Sequence, residues 1–139
     1  MTRMTQDEKQ RFLAGLHVGM LGLNESDRGP LVVPIWYSYE VGGHISVITG
    51  ASSRKGKLLA TGSRVGFAVQ TEMAPYTYVS VEGAVTAVEP TEFAELEAMA
   101  IRYLGDDQGK AYAAGSGLED SVTVRIQPER WLAVDYNKL

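Results

Sequence analysis

Apolar and polar residues alternate with a period of two along most of the chain, which is the pattern of half-buried β-strands. Turn residues bound these segments, and strands are predicted over residues 18–23, 31–40, 44–49, 64–71, 76–88, 121–127 and 131–135. Helical spacing predicts helices over residues 6–16 and 90–104, with a short third one at 55–60. Because helices do not alternate regularly with strands, this order favours a small, mainly β, antiparallel barrel of six or seven strands with three short helices.

Several single residues refine the element boundaries. Thr5 and Glu8 form the capping box that starts the first helix. Pro90 suits the first turn of the longest helix, and the polar, glycine-containing stretch 106–120 is predicted to be a loop or a frayed helical turn. These signals fix where the helices begin and end.

Proline and glycine also mark irregular points within the strands. Pro34 has no N–H to donate and therefore indicates an edge strand or a bulge. Gly83 predicts a bulge in the strand that contains it, and Pro128 is predicted to separate the last two strands. The strand pattern thus contains three expected interruptions.

Composition narrows the classes of function. The chain has 139 residues, no cysteine and a net charge of −4, so we expect one domain over residues 1–139, without disulfides and with little affinity for nucleic acid or anionic membranes. No apolar run is long enough for a membrane span or a secretory signal, which predicts a cytoplasmic protein. His17 and His44 are the only histidines and show no metal-ligand spacing, so no metal site is expected.

The charges are unevenly distributed. Residues 41–71 contain no acidic side chain but four basic ones, so this window carries +4 while the rest of the chain carries −8. Its centre holds three hydroxyl and three basic side chains: Thr49, Ser52, Ser53, Arg54, Lys55 and Lys57. Hydroxyls, ammonium groups and a guanidinium at a turn before a short helix suit a phosphate monoester. The alternative is a solvated basic loop, and a weaker one is a barrel that binds single-stranded nucleic acid.

The run from Thr49 to Leu59, followed by Arg64 and Val65, resembles the phosphate-binding segment of the pyridoxamine-phosphate oxidase-like split β-barrel superfamily. The likeness extends over residues 30–39, 79–83 and 130–136, and thus over most of the chain. It implies a split barrel and a homodimer that binds flavin mononucleotide (FMN) or the deazaflavin coenzyme F-420 between subunits. By resemblance, Ser53, Arg54 and Lys55 hold the cofactor phosphate, with Lys57 beside them and Thr49 near the ring system.

The resemblance also guides the choice of reaction. The oxidase itself carries Arg-Gln where this chain has Thr77 and Tyr78, and the short chain is more similar to actinobacterial deazaflavin-dependent reductases. The leading hypothesis is therefore hydride transfer between coenzyme F-420 and a small unsaturated or conjugated acceptor, with no catalytic side chain because the cofactor carries the chemistry. An FMN enzyme and a flavin-binding protein without turnover are the alternatives.

Aromatic side chains are candidates for the walls of a substrate cavity, because flat ligands pack well on aromatic surfaces. The candidates are Trp36, Tyr37, Tyr76, Tyr78 and Trp131. Core or dimer-interface roles are the alternative for all five. Arg102 and Tyr103, at the end of the longest helix, are expected either near a cofactor tail or at a solvated helix end.

Overall fold

The computed structural model describes residues 1–139 as seven strands and four α-helices. The helices are α1 (Gln6–Ala14), α2 (Arg54–Lys57), α3 (Phe93–Leu104) and α4 (Asp106–Ala114). The strands are β1 (Gly19–Leu23), β2 (Leu31–Ile35), β3 (Tyr37–Tyr39), β4 (Ile45–Gly50), β5 (Arg64–Gln70), β6 (Thr77–Pro90) and β7 (Ser121–Asp135). A short 3-10 helix, Tyr136–Lys138, ends the chain, and none of the helices has the length and apolar character that crossing a bilayer requires.

All seven strands form one antiparallel sheet in the order β2-β1-β5-β6-β7-β4-β3. The two edge strands, β2 and β3, are consecutive in the chain and are separated only by Trp36. Because one residue joins the two edges, the sheet curls until they meet, and the barrel is split at that point. The predicted mainly β, split-barrel fold is confirmed, while the segment 31–40 that was predicted as one strand is two.

The interior of the barrel explains the period of two in the sequence. Inward side chains from five strands, among them Leu21, Tyr37, Val47, Val79 and Ile126, are completely buried. Full burial of one such apolar side chain contributes about 1.5–3 kcal/mol, so this shared core holds the strands together. The other face of each strand is left for helices, solvent or a partner.

Two of the predicted interruptions are confirmed. Pro34 lies in edge strand β2 opposite Met20 of β1, where the unpaired side of the strand needs no donor. The register of β6 against β7 shifts at Gly83. A Cβ at Gly83 would lie 1.7 Å from the carbonyl oxygen of Gln127, so only glycine permits this close approach.

The structure corrects the prediction at Pro90 and at Pro128. Pro90 ends β6 instead of starting a helix. Helix α3 begins at Phe93, and the amide of the preceding residue, Glu92, donates to the Glu95 carboxylate at 3.2 Å. The two strands expected around Pro128 are one strand, since the bulge opposite Gly83 absorbs the proline. Apart from the register shifts at Gly83 and between Val85 and Ala87, this single strand pairs with β6 from Thr77 to Pro90.

The stretch 106–120 contains a fourth α-helix, α4, which the sequence does not predict. Gly109 is the reason, because a Cβ there would lie 2.5 Å from the backbone of Ile101 in α3. The missing side chain lets α4 pack directly on α3. Tertiary contact thus stabilises a helix whose own sequence is a poor helix former.

Candidate functional site

The turn between β4 and α2 is fixed by one serine. Ser53 caps α2: its Oγ accepts from the Gly56 N–H at 3.0 Å and donates to the Gly50 carbonyl at 2.7 Å. The Oγ1 of the buried Thr49 lies 3.4 Å from the Ser53 Oγ. The Ser53 hydroxyl is therefore committed to the turn, and its main effect is to set the backbone on which the neighbouring side chains stand.

Gly56 permits α2 to lie against the turn that precedes it. A Cβ at this position would come within 2.0 Å of the Gly50 oxygen and 3.0 Å of the Ala51 oxygen. Both atoms belong to the backbone and have little room to move. The glycine is thus a steric requirement of this turn.

Two of the four basic residues of the window are paired with carboxylates. Arg54 donates Nη2 and Nε to Glu25 at 2.6 and 3.1 Å, and this hydrogen bonding lowers the pKa of Glu25. Arg64 pairs with Glu82 at 2.9 Å and with Glu129 at 3.2 Å. The fold therefore offsets part of the net charge of +4 that residues 41–71 carry, because carboxylates from outside these residues pair with both guanidinium groups.

A further carboxylate reaches the turn from the end of the α4–β7 loop. The Ser52 Oγ and the Ser52 N–H both donate to Oδ2 of Asp120, at 2.5 and 3.2 Å. These hydrogen bonds lower the pKa of Asp120, so its carboxylate is ionised at neutral pH. Two donors that an anionic ligand would use are thus held by a side chain of the same protein.

Lys55 and Lys57 remain without a carboxylate partner, since neither takes part in any of the six ion pairs. Lys55 is half-buried and Lys57 is exposed. They are two positions apart in α2, and residues at this spacing do not share a helix face. Of the residues predicted to bind phosphate, Lys55 is therefore the one whose charge is both uncompensated and set into the turn.

A cavity of about 400 Å³ adjoins this turn on the outer side of β4. Thr49, Gly50 and Asp120 border it at the turn, and Leu96 and Tyr112 border it from the helices. Its mixed apolar and polar lining is suited to a flat organic ligand that carries an anionic group. The turn that carries Lys55 thus has space for an organic group next to its first residues, Thr49 and Gly50, while Lys55 itself does not border the cavity.

The five aromatic candidates lie in different environments and do not converge on one cavity. Trp36 stacks on Tyr103 with ring centroids 4.9 Å apart. Tyr76 is exposed and directly precedes β6, and Tyr78, the second residue of β6, is half-buried. Tyr37 is completely buried and donates its OH to the Leu13 carbonyl at 2.6 Å, so in this chain it is a core residue. Within a single chain, then, these side chains do not form one substrate wall.

Trp131 is the fifth aromatic candidate, and it packs against the barrel core, edge to face with Tyr39 at 6.4 Å. Its inward direction follows from the alternation along β7, in which the next residue, Leu132, is exposed. Trp131 thus contributes to the barrel interior of this chain.

Arg102 and Tyr103 are half-buried and bonded to main-chain carbonyls, so they do not form the solvated helix end that was one of the two expectations for them. The Tyr103 OH donates to the His17 carbonyl at 2.6 Å, and the guanidinium of Arg102 donates to the carbonyls of Tyr37 and Gly15 at 3.1 and 2.7 Å. They anchor α3 to β3 and to the end of α1. Glu25 and Asp120 were likewise missed, because no local pattern connects them with the turn 29 and 68 residues away.

Comparison with protein families identifies the chain. Residues 5–135 match the model of the pyridoxamine 5'-phosphate oxidase family. The chain belongs to this family. The match includes the whole barrel, the turn with Lys55 and the helices that flank it. A search of curated protein sequences finds no significant match.

Solved structures with the same fold include proteins of several descriptions. A conserved hypothetical protein from Mycobacterium tuberculosis is 25% identical, with a TM-score of 0.77 over 99% of this chain and 88% of that one. An F420 reductase is 22% identical, with a TM-score of 0.71 over 88% and 94% of the two chains. A FAD-binding protein from Mycobacterium smegmatis is 14% identical, with a TM-score of 0.62 over 94% and 93%. These likenesses show that the oxidase-family chain has the split-barrel fold throughout.

Proposed function

We propose that the protein is an oxidoreductase that binds a deazaflavin, coenzyme F-420, and transfers a hydride between it and a small unsaturated or conjugated acceptor. The observation that carries the proposal is the turn 49–57, in which Lys55 has no ion-pair partner and Thr49 and Gly50 border a cavity of about 400 Å³. Family membership supports the oxidoreductase class. The fold likeness to an F420 reductase supports the choice of the deazaflavin.

Lys55 is proposed to bind the cofactor phosphate directly, and Lys57 to raise the local positive potential. Ser53 positions the backbone of the turn, and Thr49 supports Ser53 from the barrel side. Arg54 and Ser52 contribute donors to the phosphate only if they exchange Glu25 and Asp120 for it. When bound, the cofactor supplies the hydride chemistry, so this chain's residues need only hold it, exclude water and position the acceptor.

A second copy of the chain is proposed to complete the site. One outer face of the sheet carries Pro34, Met20, Ala68, Ser80 and Leu132 in a single row across five strands. Met20 and Leu132 are 41% and 63% exposed, and Val32, in the neighbouring row, is 57% exposed. A row with exposed apolar side chains is typical of a protein interface, and we infer a homodimer through this face.

FMN is the second candidate cofactor, because its single phosphate needs only the one pocket at Lys55. The pairing of Arg54 with Glu25 and of Arg64 with Glu82 and Glu129 removes the extended positive potential that a long anionic tail would use. This observation favours FMN, whereas the likeness to an F420 reductase favours the deazaflavin. A flavin-binding protein without turnover is the third candidate.

Parallel titrations of the purified protein with coenzyme F-420 and FMN test the proposal. Tight binding of the deazaflavin, and oxidation of added pre-reduced deazaflavin by conjugated acceptors, are the expected results. Protein that is purified yellow and prefers FMN would replace the first candidate by the second. Binding without turnover of any acceptor would support the third, and no binding of either cofactor would refute the assignment.

A further inference from the structure

Helix α3 lies over the outer side of β3, β4 and β7 and leaves a cavity of about 340 Å³ between helix and sheet. Helices and sheets normally bury large apolar side chains against each other. Here the facing positions include small or hydroxyl-bearing residues, namely Ser38, Ser46, Ala98 and Thr123. The gap follows from this sequence choice, since these side chains are too short to fill the layer.

Two arginines and one carboxylate line the gap. Arg125 donates Nη2 to Glu95 at 2.8 Å and Nη1 to the Ser46 hydroxyl at 2.9 Å. The Thr123 hydroxyl donates to the other Glu95 oxygen at 3.3 Å. Burial opposes the ionisation of Glu95, but the hydrogen bonds from Arg125 and from the Glu92 amide outweigh it and lower its pKa. Glu95 is therefore charged, and it compensates Arg125.

Arg102 is the third charged group, and it has no acidic partner. Its guanidinium donates Nε to the Tyr37 carbonyl at 3.1 Å and Nη2 to the Ala14 and Gly15 carbonyls at 3.3 and 2.7 Å. These partners are neutral, and none of the six ion pairs includes Arg102. The cavity thus carries one net positive charge.

The uncharged residues that line the cavity indicate what the rest of a ligand would be. Ile48 and Met99 form an apolar wall, and the Ser38 hydroxyl faces the same space. A single excess positive charge beside a carboxylate favours a monoanion over a dianion, because Glu95 would repel the second negative charge. Apolar lining residues in the same cavity as the charged groups fit a compact hydrocarbon body.

We propose that this cavity is a binding site for a small organic monocarboxylate. The ligand's carboxylate meets Arg125 and Arg102, and its apolar body lies against Ile48 and Met99. The site does not include Lys55 and needs no bound cofactor, although Ile48 borders both this cavity and the one beside the turn 49–57. The proposal of this site therefore does not depend on the redox function proposed above.

Benzoate titration of protein labelled with ¹³C at the methionine methyl groups tests the proposal. Met99 borders the cavity, whereas Met20 and Met73 are 41% and 82% exposed elsewhere and serve as internal references. The expected result is a saturable shift of the Met99 resonance by benzoate, with Met20 and Met73 unchanged. Benzamide, which has the same shape without the charge, should cause no saturable shift.

Two substitutions should change the benzoate affinity in opposite directions. Arg125→Gln should weaken binding by about tenfold or more, because it removes a charge-assisted hydrogen bond. Glu95→Gln should tighten binding, because it removes the repelling charge while the amide can still accept from Glu92 at the start of α3. If Arg125→Gln does not fold, Glu95→Gln and the benzamide comparison still decide. No Met99 shift, an equal response to benzamide, or unaltered affinity in Glu95→Gln would overturn the proposal.

Discussion

Lys55 and Arg54 are adjacent cations that differ in what already holds their charge. Arg54 is bound to Glu25 through two hydrogen bonds, at 2.6 and 3.1 Å, whereas Lys55 is in no ion pair. Lys55→Ala therefore removes one net positive charge from the turn. The double substitution Arg54→Ala with Glu25→Gln removes a matched pair and leaves the net charge of the turn unchanged.

The expected magnitudes follow from this difference. A charge-assisted hydrogen bond contributes about 1.5–3 kcal/mol, so Lys55→Ala should weaken cofactor binding by roughly ten- to a hundredfold. The double variant should change the affinity by less than about threefold, because removing both partners leaves no unpaired charge.

Quenching of cofactor fluorescence gives the dissociation constants, measured for both variants with coenzyme F-420 and with FMN. Repeating the titrations at higher salt should shrink the effect of Lys55→Ala, since partly exposed charges are screened. A double variant that binds as weakly as Lys55→Ala would show that Arg54 leaves Glu25 to bind the phosphate. Unchanged affinity in Lys55→Ala would remove this lysine from the site.

Three further substitutions test other parts of the structure. Gly56→Ala should destabilise the protein by about 1–3 kcal/mol in urea unfolding, although alanine normally favours a helix, because the new Cβ would lie 2.0 Å from the Gly50 oxygen. Gly29→Ala is the control, because a Cβ at Gly29 would have no atom within 4 Å. A Gly56→Ala variant that is more stable than the parent would contradict the steric argument. The Lys138 hydrogen bond lowers the pKa of Glu8 from 4.5 to about 2, so the carboxylate stabilises the fold above pH 4.5 and this contribution is lost as the pH falls towards 2. Glu8→Gln should therefore be less stable than the parent at pH 6 and equally stable near pH 2, with the exposed Glu119→Gln as control; a difference that does not vary with pH would refute the pairing. Leu132→Glu should convert the proposed homodimer to a monomer in light scattering, whereas Val41→Glu, outside the apolar row, should not; a dimer that persists in Leu132→Glu would exclude this face as the interface.

The strands were largely predictable because the sequence feature that marks them is the burial that creates them. Inward residues of β4 such as Ile45 and Val47 are completely buried, and their outward neighbours are not, which is the alternation visible in the sequence. The break at Trp36 was not predictable, because the apolar pattern continues across it. It arises when the sheet closes, since residues on either side pair with β1 and β4 respectively.

The helices depended more on contacts between distant residues. The capping box of Thr5 and Glu8 was predictable and is present, at 2.8 and 3.1 Å. Helix α4 was not, because its stability depends on the approach of Gly109 to α3. Helix propensity depends on the local sequence alone, so it does not include a contact that exists only after α3 has formed.

The charge of the candidate site also depends on residues that are distant in the sequence. The sequence locates a basic window, but net charge over a window counts only neighbours along the chain. In the fold, Glu25, Glu82, Glu129 and Asp120 all come from outside that window to bind its arginines or its serine donors. Lys55 differs from Arg54 and Arg64 in having no carboxylate partner, and from Lys57 in being half-buried, and only the folded arrangement reveals both differences. A site that compensates its guanidinium groups internally and leaves one half-buried ammonium free concentrates its attraction for an anion at one point. That arrangement selects for a ligand with a localised phosphate over a strand of evenly spaced charges, which argues for a discrete cofactor and against nucleic acid.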